Sequence, residues 1–188
     1  MLAAPALDAL LAGLKREPPV SEPFQDVRFR AALRAPLVSS GTLTWHGGLE
    51  FERSVTSPYV ETGRVHGRTL TIIRPRGRER VIPLARAPEL QVLFGGLSAV
   101  FAGDAAAIQT LFTVELEGDS AWRMRLVPKD AALRERVDAL ELRGEGEHAR
   151  CLILRQPGAE ALTLLGATQP PGPAPDLATL VERNCPSP

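Results

Sequence analysis

From Phe24 to Leu84 the chain repeats one pattern: short runs in which every second residue is apolar, divided by Gly, Pro, Ser and His-Gly turns. A period of two places alternate side chains on opposite faces, so these runs are predicted to be strands of an antiparallel meander. Leu43 and Trp45 share one face of their run. Leu49, Phe51 and Val55 share a face of the next, with Glu50 and Glu52 opposite. Arg64-Val65-His66-Gly67-Arg68-Thr69-Leu70 reads as a tight turn between two strands, and Arg74-Pro75-Arg76-Gly77-Arg78 as a second hairpin tip. A sheet with one apolar face has to bury it, and the rest of the sequence must supply the cover.

Helical periodicity appears in the places needed for that cover. Leu7, Leu10, Leu11 and Leu14 predict an amphipathic helix over about residues 5 to 16, ended by Pro18-Pro19. Leu90, Leu93, Phe94, Leu97 and Phe101 follow the i, i+3, i+4, i+7, i+11 series, although Gly95-Gly96 inside it predicts a broken or loosely held helix. Asp104 is placed to cap a second piece through Ala105, Ile108, Leu111 and Phe112. Alternation resumes at Val114 to Gly118 and at Trp122, Met124 and Leu126, with further strands at 137–143, 150–155 and 161–166. Gly144-Glu145-Gly146 and Gln156-Pro157-Gly158 are expected as turns. The proline-rich run 169–175 cannot pair in a ladder and is expected as a linker before a short helix from Asp176 to Arg183. The expected class is α+β: a strongly curved antiparallel sheet, or incomplete β-barrel, with helices over its concave face. One domain spans 1–188: an N-terminal helix within 1–17, a half-barrel over 23–166 with covering helices about 88–112, and a tail over 167–188.

Formal net charge is zero, so no long-range field recruits nucleic acid or an anionic membrane surface. No apolar run approaches the roughly 20 residues that cross a bilayer as a helix. Asp8 and Lys15 interrupt the pattern that a secretory signal would need, so any export signal is expected to have been trimmed. Cys151 and Cys185 fit either one disulfide tying the tail to the body or two unrelated thiols, with the bridge favoured.

Chemistry-bearing residues are scattered. His46, His66 and His148 are too dispersed for a metal site, and neither metal nor cofactor is expected. Ser39-Ser40 lies in no nucleophile elbow, and no catalytic set emerges. The dense basic patch of Arg74, Arg76, Arg78 and Arg80 lacks interleaved aromatic residues for stacking on bases. It reads as a solvated hairpin tip, with docking of acidic partners or lipid headgroups as the sharper alternative.

In order, Arg28-Phe29-Arg30, Gly41-Thr42-Leu43-Thr44-Trp45, His66-Gly67-Arg68-Thr69-Leu70, Leu126-Val127-Pro128-Lys129 and Val137-Asp138-Ala139-Leu140-Glu141-Leu142 resemble the LolA-type periplasmic lipoprotein carriers. The segments 35–43 and 97–104 are similar to a LolA-related branch found beside aryl-polyene and related pigment or lipid pathways. The resemblance implies a periplasmic, non-enzymatic carrier, working as a monomer. It would bind lipoprotein acyl chains or a related lipid and pass them from an inner-membrane exporter to an outer-membrane acceptor. Patterning alone favours a close-packed core for Leu43, Trp45, Leu49, Phe51, Leu90, Leu93, Phe94, Leu97, Phe101, Trp122, Met124 and Leu126; the resemblance makes these twelve the lining and lid of a hydrophobic cavity. Gly47-Gly48 stands where such carriers have Arg-Pro, so the lid-latching arginine is missing. A lipid-sensing regulatory module of the same fold is the alternative function. An enzyme acting on lipid intermediates would require ionisable groups converging inside the cavity.

Overall fold

The computed structural model describes residues 4–188; the start of the expected 1–17 helical segment lies outside the described residues. Eleven strands form one antiparallel sheet: β1 (Val20–Arg30), β2 (Leu37–Gly47), β3 (Glu50–Ser57), β4 (Glu61–His66), β5 (Thr69–Ile73), β6 (Arg80–Pro83), β7 (Phe112–Gly118), β8 (Ala121–Pro128), β9 (Ala139–Glu145), β10 (His148–Gln156) and β11 (Ala159–Leu165). Their spatial order is β6-β5-β4-β3-β2-β1-β11-β10-β9-β8-β7. Two meanders, β1 to β6 and β7 to β11, are thus joined where β1 pairs with β11, with Asp26 opposite Thr163 and Arg28 opposite Ala161. The edge strands β6 and β7 do not meet, which leaves the barrel incomplete.

Helices α1 (Ala4–Leu14), α2 (Pro88–Ala102) and α3 (Ala105–Leu111) fill the concave side. Leu7, Leu11 and Leu14 of α1 and Val92, Phe94, Leu97 and Val100 of α2 share one core with Trp45, Phe51, Trp122, Met124, Leu126, Leu140 and Leu142 of the sheet. The expected break at Gly95-Gly96 is not there, because α2 runs through both glycines. A Cβ at Gly96 would lie 2.8 Å from Leu140 Cδ2, so this glycine lets the helix settle onto β9. Gly103, in the left-handed region at φ 68°, ends α2, and Asp104 caps α3 by accepting from the Ala107 amide at 2.9 Å.

Gly144 belongs to β9 rather than to the turn, and Leu49 occupies the β2–β3 turn, exposed, instead of extending the strand face of Phe51. At Gly144 a Cβ would sit 2.2 Å from Trp122 Cζ2, so the indole needs that bare backbone.

The convex face carries a second, smaller core. Val27, Cys151, Ile153, Leu162 and Leu164 are covered by Leu177, Leu180 and Val181 of α5 (Leu177–Asn184), and a Cys151–Cys185 disulfide pins that helix down. A one-turn helix, α4 (Ala131–Arg134), connects β8 to β9 and is capped by Asp130.

Candidate functional site

The concave side is sealed at one end and open at the other. At the sealed end Arg16 N donates to Phe101 O at 2.8 Å, the Arg16 guanidinium donates to Glu147 O, and Trp122 Nε1 donates to Gly146 O at 2.9 Å. Trp45 lies against Phe101, ring centroids 5.5 Å apart, and Phe51 against Phe94 at 4.9 Å. The Gly48 carbonyl accepts from both Trp45 Nε1 at 2.9 Å and Ser98 Oγ at 2.6 Å. The β2–β3 turn therefore fastens α2 through a backbone oxygen.

At the other end a cavity of about 600 Å³ separates the first half of α2 from the concave faces of β1, β10 and β11. Glu89, Leu90 and Leu93 form its helical wall, and Leu152 and Leu154 the opposite wall. Between them Ala159 and Ala161 project from β11, where larger side chains would fill the space. Such a volume falls within the range of about 300–1,000 Å³ typical of small-molecule sites.

The floor is polar. Asp26 is buried on β1, its side chain 3% exposed. Its Oδ2 accepts from Arg28 Nε at 2.7 Å, Arg53 Nη2 at 3.1 Å and Ser39 Oγ at 3.5 Å, and its Oδ1 accepts from Thr163 Oγ1 at 2.8 Å. Strand register explains the convergence: Ser39 and Thr163 are the cross-strand partners of Asp26 on β2 and β11. Arg53 reaches over from β3, its guanidinium 4.4 Å from the centre of the Phe24 ring. Burial opposes the charge on both arginines. At Arg28 the attraction of Asp26, with Tyr59 and Glu61 behind it, outweighs burial and raises the pKa; at Arg53 burial, aided by Arg28, wins and lowers it. Both guanidiniums nonetheless stay protonated at any physiological pH. Asp26 accepts from four donors, three of them on Oδ2, which makes it the shared acceptor that holds the cluster together.

Of the twelve residues expected to line the cavity, Leu90 and Leu93 do so. Trp45, Phe51, Phe94, Leu97, Trp122, Met124 and Leu126 are buried in the closed part of the concave core, and Leu43 and Phe101 pack against it half-buried. Leu49 stands apart on the exposed turn. The sequence pattern does not mark Asp26, Arg53 or Thr163, and it marks Arg28 only within the landmark Arg28-Phe29-Arg30 of the family resemblance. The available signal was alternation itself: Arg53 falls between Phe51 and Val55 on an inward face, and Asp26 two residues after the buried Phe24.

A search of curated proteins finds no match. Among solved structures, a LolA superfamily protein, NE2245 from Nitrosomonas europaea, overlaps with a TM-score of 0.47 at 11% identity, over 89% of this chain and 93% of that one. LprF from Mycobacterium bovis overlaps with a TM-score of 0.37 at 12% identity, over 91% and 98%. The Pseudomonas aeruginosa MucA/MucB complex gives 0.42 at 13% identity, over 88% and 58%. The family model described as "Outer membrane lipoprotein carrier protein LolA-like" matches residues 2–185, so on nearly its whole length this chain belongs to the LolA-like family.

Proposed function

We propose that the protein is a periplasmic carrier that takes up lipoprotein acyl chains, or a related lipid, and delivers them toward the outer membrane. The observation that carries this reading is the cavity of about 600 Å³ under α2, with Leu90 and Leu93 on one wall, Leu152 and Leu154 on the other, and one open end. A hydrocarbon chain needs no directional partner there: about ten methylenes gain roughly 8 kcal/mol on burial. That is of the same order as the freedom lost on association, so uptake and hand-over are nearly balanced exchanges. The aromatic contacts of α2 with the sheet lie in the closed part of the core beyond the cavity, so widening the cavity for a longer chain means lifting α2 from Phe51 and Trp45. A disulfide fits an oxidising compartment such as the periplasm.

Native mass spectrometry after incubation with total membrane lipid, with displacement of a fluorescent fatty acid, tests the reading. Stoichiometric lipid adducts and saturable displacement are expected; an interior that takes up neither would overturn it. Pull-downs with and without lipid separate a carrier, which captures an exporter or an acceptor, from a sensor, which binds a signalling protein in only one ligand state.

A further inference from the structure

Hydrocarbon binding alone leaves the charged floor of the cavity without a role. Arg28 lines the cavity with its side chain 36% exposed and uses only Nε on Asp26. Among the described residues its two terminal amino groups donate to nothing. Nearby charges largely cancel: Glu160 pairs with Arg155 at 2.6 Å and Glu61 with Arg74 at 2.7 Å. What remains around the space is Arg28, Arg30 and Arg53 against Asp26 and Glu89, a surplus of one positive charge beside apolar walls. A guanidinium with an open fork is suited to a bidentate carboxylate or phosphate, and a neutral ligand would leave that fork facing hydrocarbon.

We propose that the cavity selects a single-chain amphiphile with an anionic head. Its carboxylate or phosphate accepts from the terminal amino groups of Arg28, while its alkyl chain lies between Leu90 and Leu93 on one side and Leu152, Leu154 and Ala161 on the other. Asp26 acts as a positioning residue: by holding Nε it turns the fork of Arg28 toward the ligand. The inference rests on the carrier reading above and narrows its cargo.

Isothermal titration of the full chain with decanoate, decyl phosphate and decanol tests it, on the native protein, R28Q and R28K. At least one anion is expected to bind about tenfold tighter than decanol, the scale of one charge-assisted bidentate contact. Whichever of the two is preferred names the source of the head. R28Q is expected to abolish the preference, so that decanol and the anions bind this variant with equal affinity. R28K, which keeps the charge without the fork, should retain part of it. Acetate and inorganic phosphate should not displace decanoate, and displacement by either would overturn the amphiphile in favour of a free-anion site. Cooperative thermal melts establish that both variants fold, since Asp26 keeps Arg53, Ser39 and Thr163 as donors. Equal affinity for decanol and both anions overturns the head-group assignment and leaves the carrier reading intact. A preference that survives R28Q overturns the site. Binding of none of the three overturns both readings.

Discussion

Asp26 illustrates how one side chain can decide whether a charged group is tolerated inside this sheet. Its carboxylate is the shared acceptor for two arginines, one of them mostly buried on β3. Asp26→Ala removes that acceptor and leaves Arg53 uncompensated, which is expected to cost about 3 kcal/mol, the low end for breaking a buried pair from one side. Urea denaturation measures the loss; a cost below about 1 kcal/mol would mean that the cluster is solvated rather than buried. The same site marks the limit of sequence reading at this scale. Phe51 and Val55 mark an inward face, whereas alternation by polarity assigns a cation such as Arg53 between them to the outward face by default. Only the register, which sets Ser39 and Thr163 beside Asp26, explains why charges are admitted there.

Helix α2 is anchored by contacts that local propensity does not reveal. Gly95-Gly96 looked like a breaker, yet Gly96 is required by close approach to Leu140, a tertiary reason that outweighs helix propensity. The latch through Gly48 was likewise illegible, since it runs through a backbone carbonyl and a serine. Ser98→Ala is expected to lower stability by about 1 kcal/mol or less and to speed release of a bound fluorescent fatty acid several-fold in stopped-flow displacement. Unchanged release would remove Ser98 from the latch.

On the opposite face, α5 is held by the disulfide that closes a 34-residue separation. Reduction is expected to cost about 3–4 kcal/mol in urea unfolding and to leave lipid uptake unchanged, because the residues that α5 covers lie on the opposite face of the sheet from the cavity walls Leu152 and Leu154. The N-cap of α5, Asp176, has its pKa lowered by the Thr179 amide that it accepts from. With the folded pKa below the unfolded value, its contribution is present above the ordinary carboxylate range and lost as pH falls through the folded pKa. Thermal melts against pH are expected to show this acid loss in the native protein and its absence in Asp176→Asn, where an uncharged cap persists. Identical acid profiles would contradict it.

At the scale of the whole molecule, two meanders and their covering helices were legible because period two and period 3.6 alternate cleanly along the chain. The two-faced centre was not read, although Cys151-Leu152-Ile153-Leu154 and Leu162 to Leu165 are apolar at nearly every position, the mark of strands buried on both sides. The candidate cavity was legible only in kind. Sequence identifies apolar inward positions but not which of them pack and which face a gap. Small residues at 159 and 161, set against α2 by β11's place beside β1, make that difference. On the carrier reading proposed above, hydrocarbon enters between α2 and β10–β11. Intermolecular NOEs from unlabelled decanoate to methyl-labelled protein test it most directly. Contacts are expected to Leu90, Leu93, Leu152 and Leu154, and none to Leu162, Leu177 or Leu180 of the outer core. Contacts confined to the outer core, or absent under conditions where decanoate is bound, would contradict it.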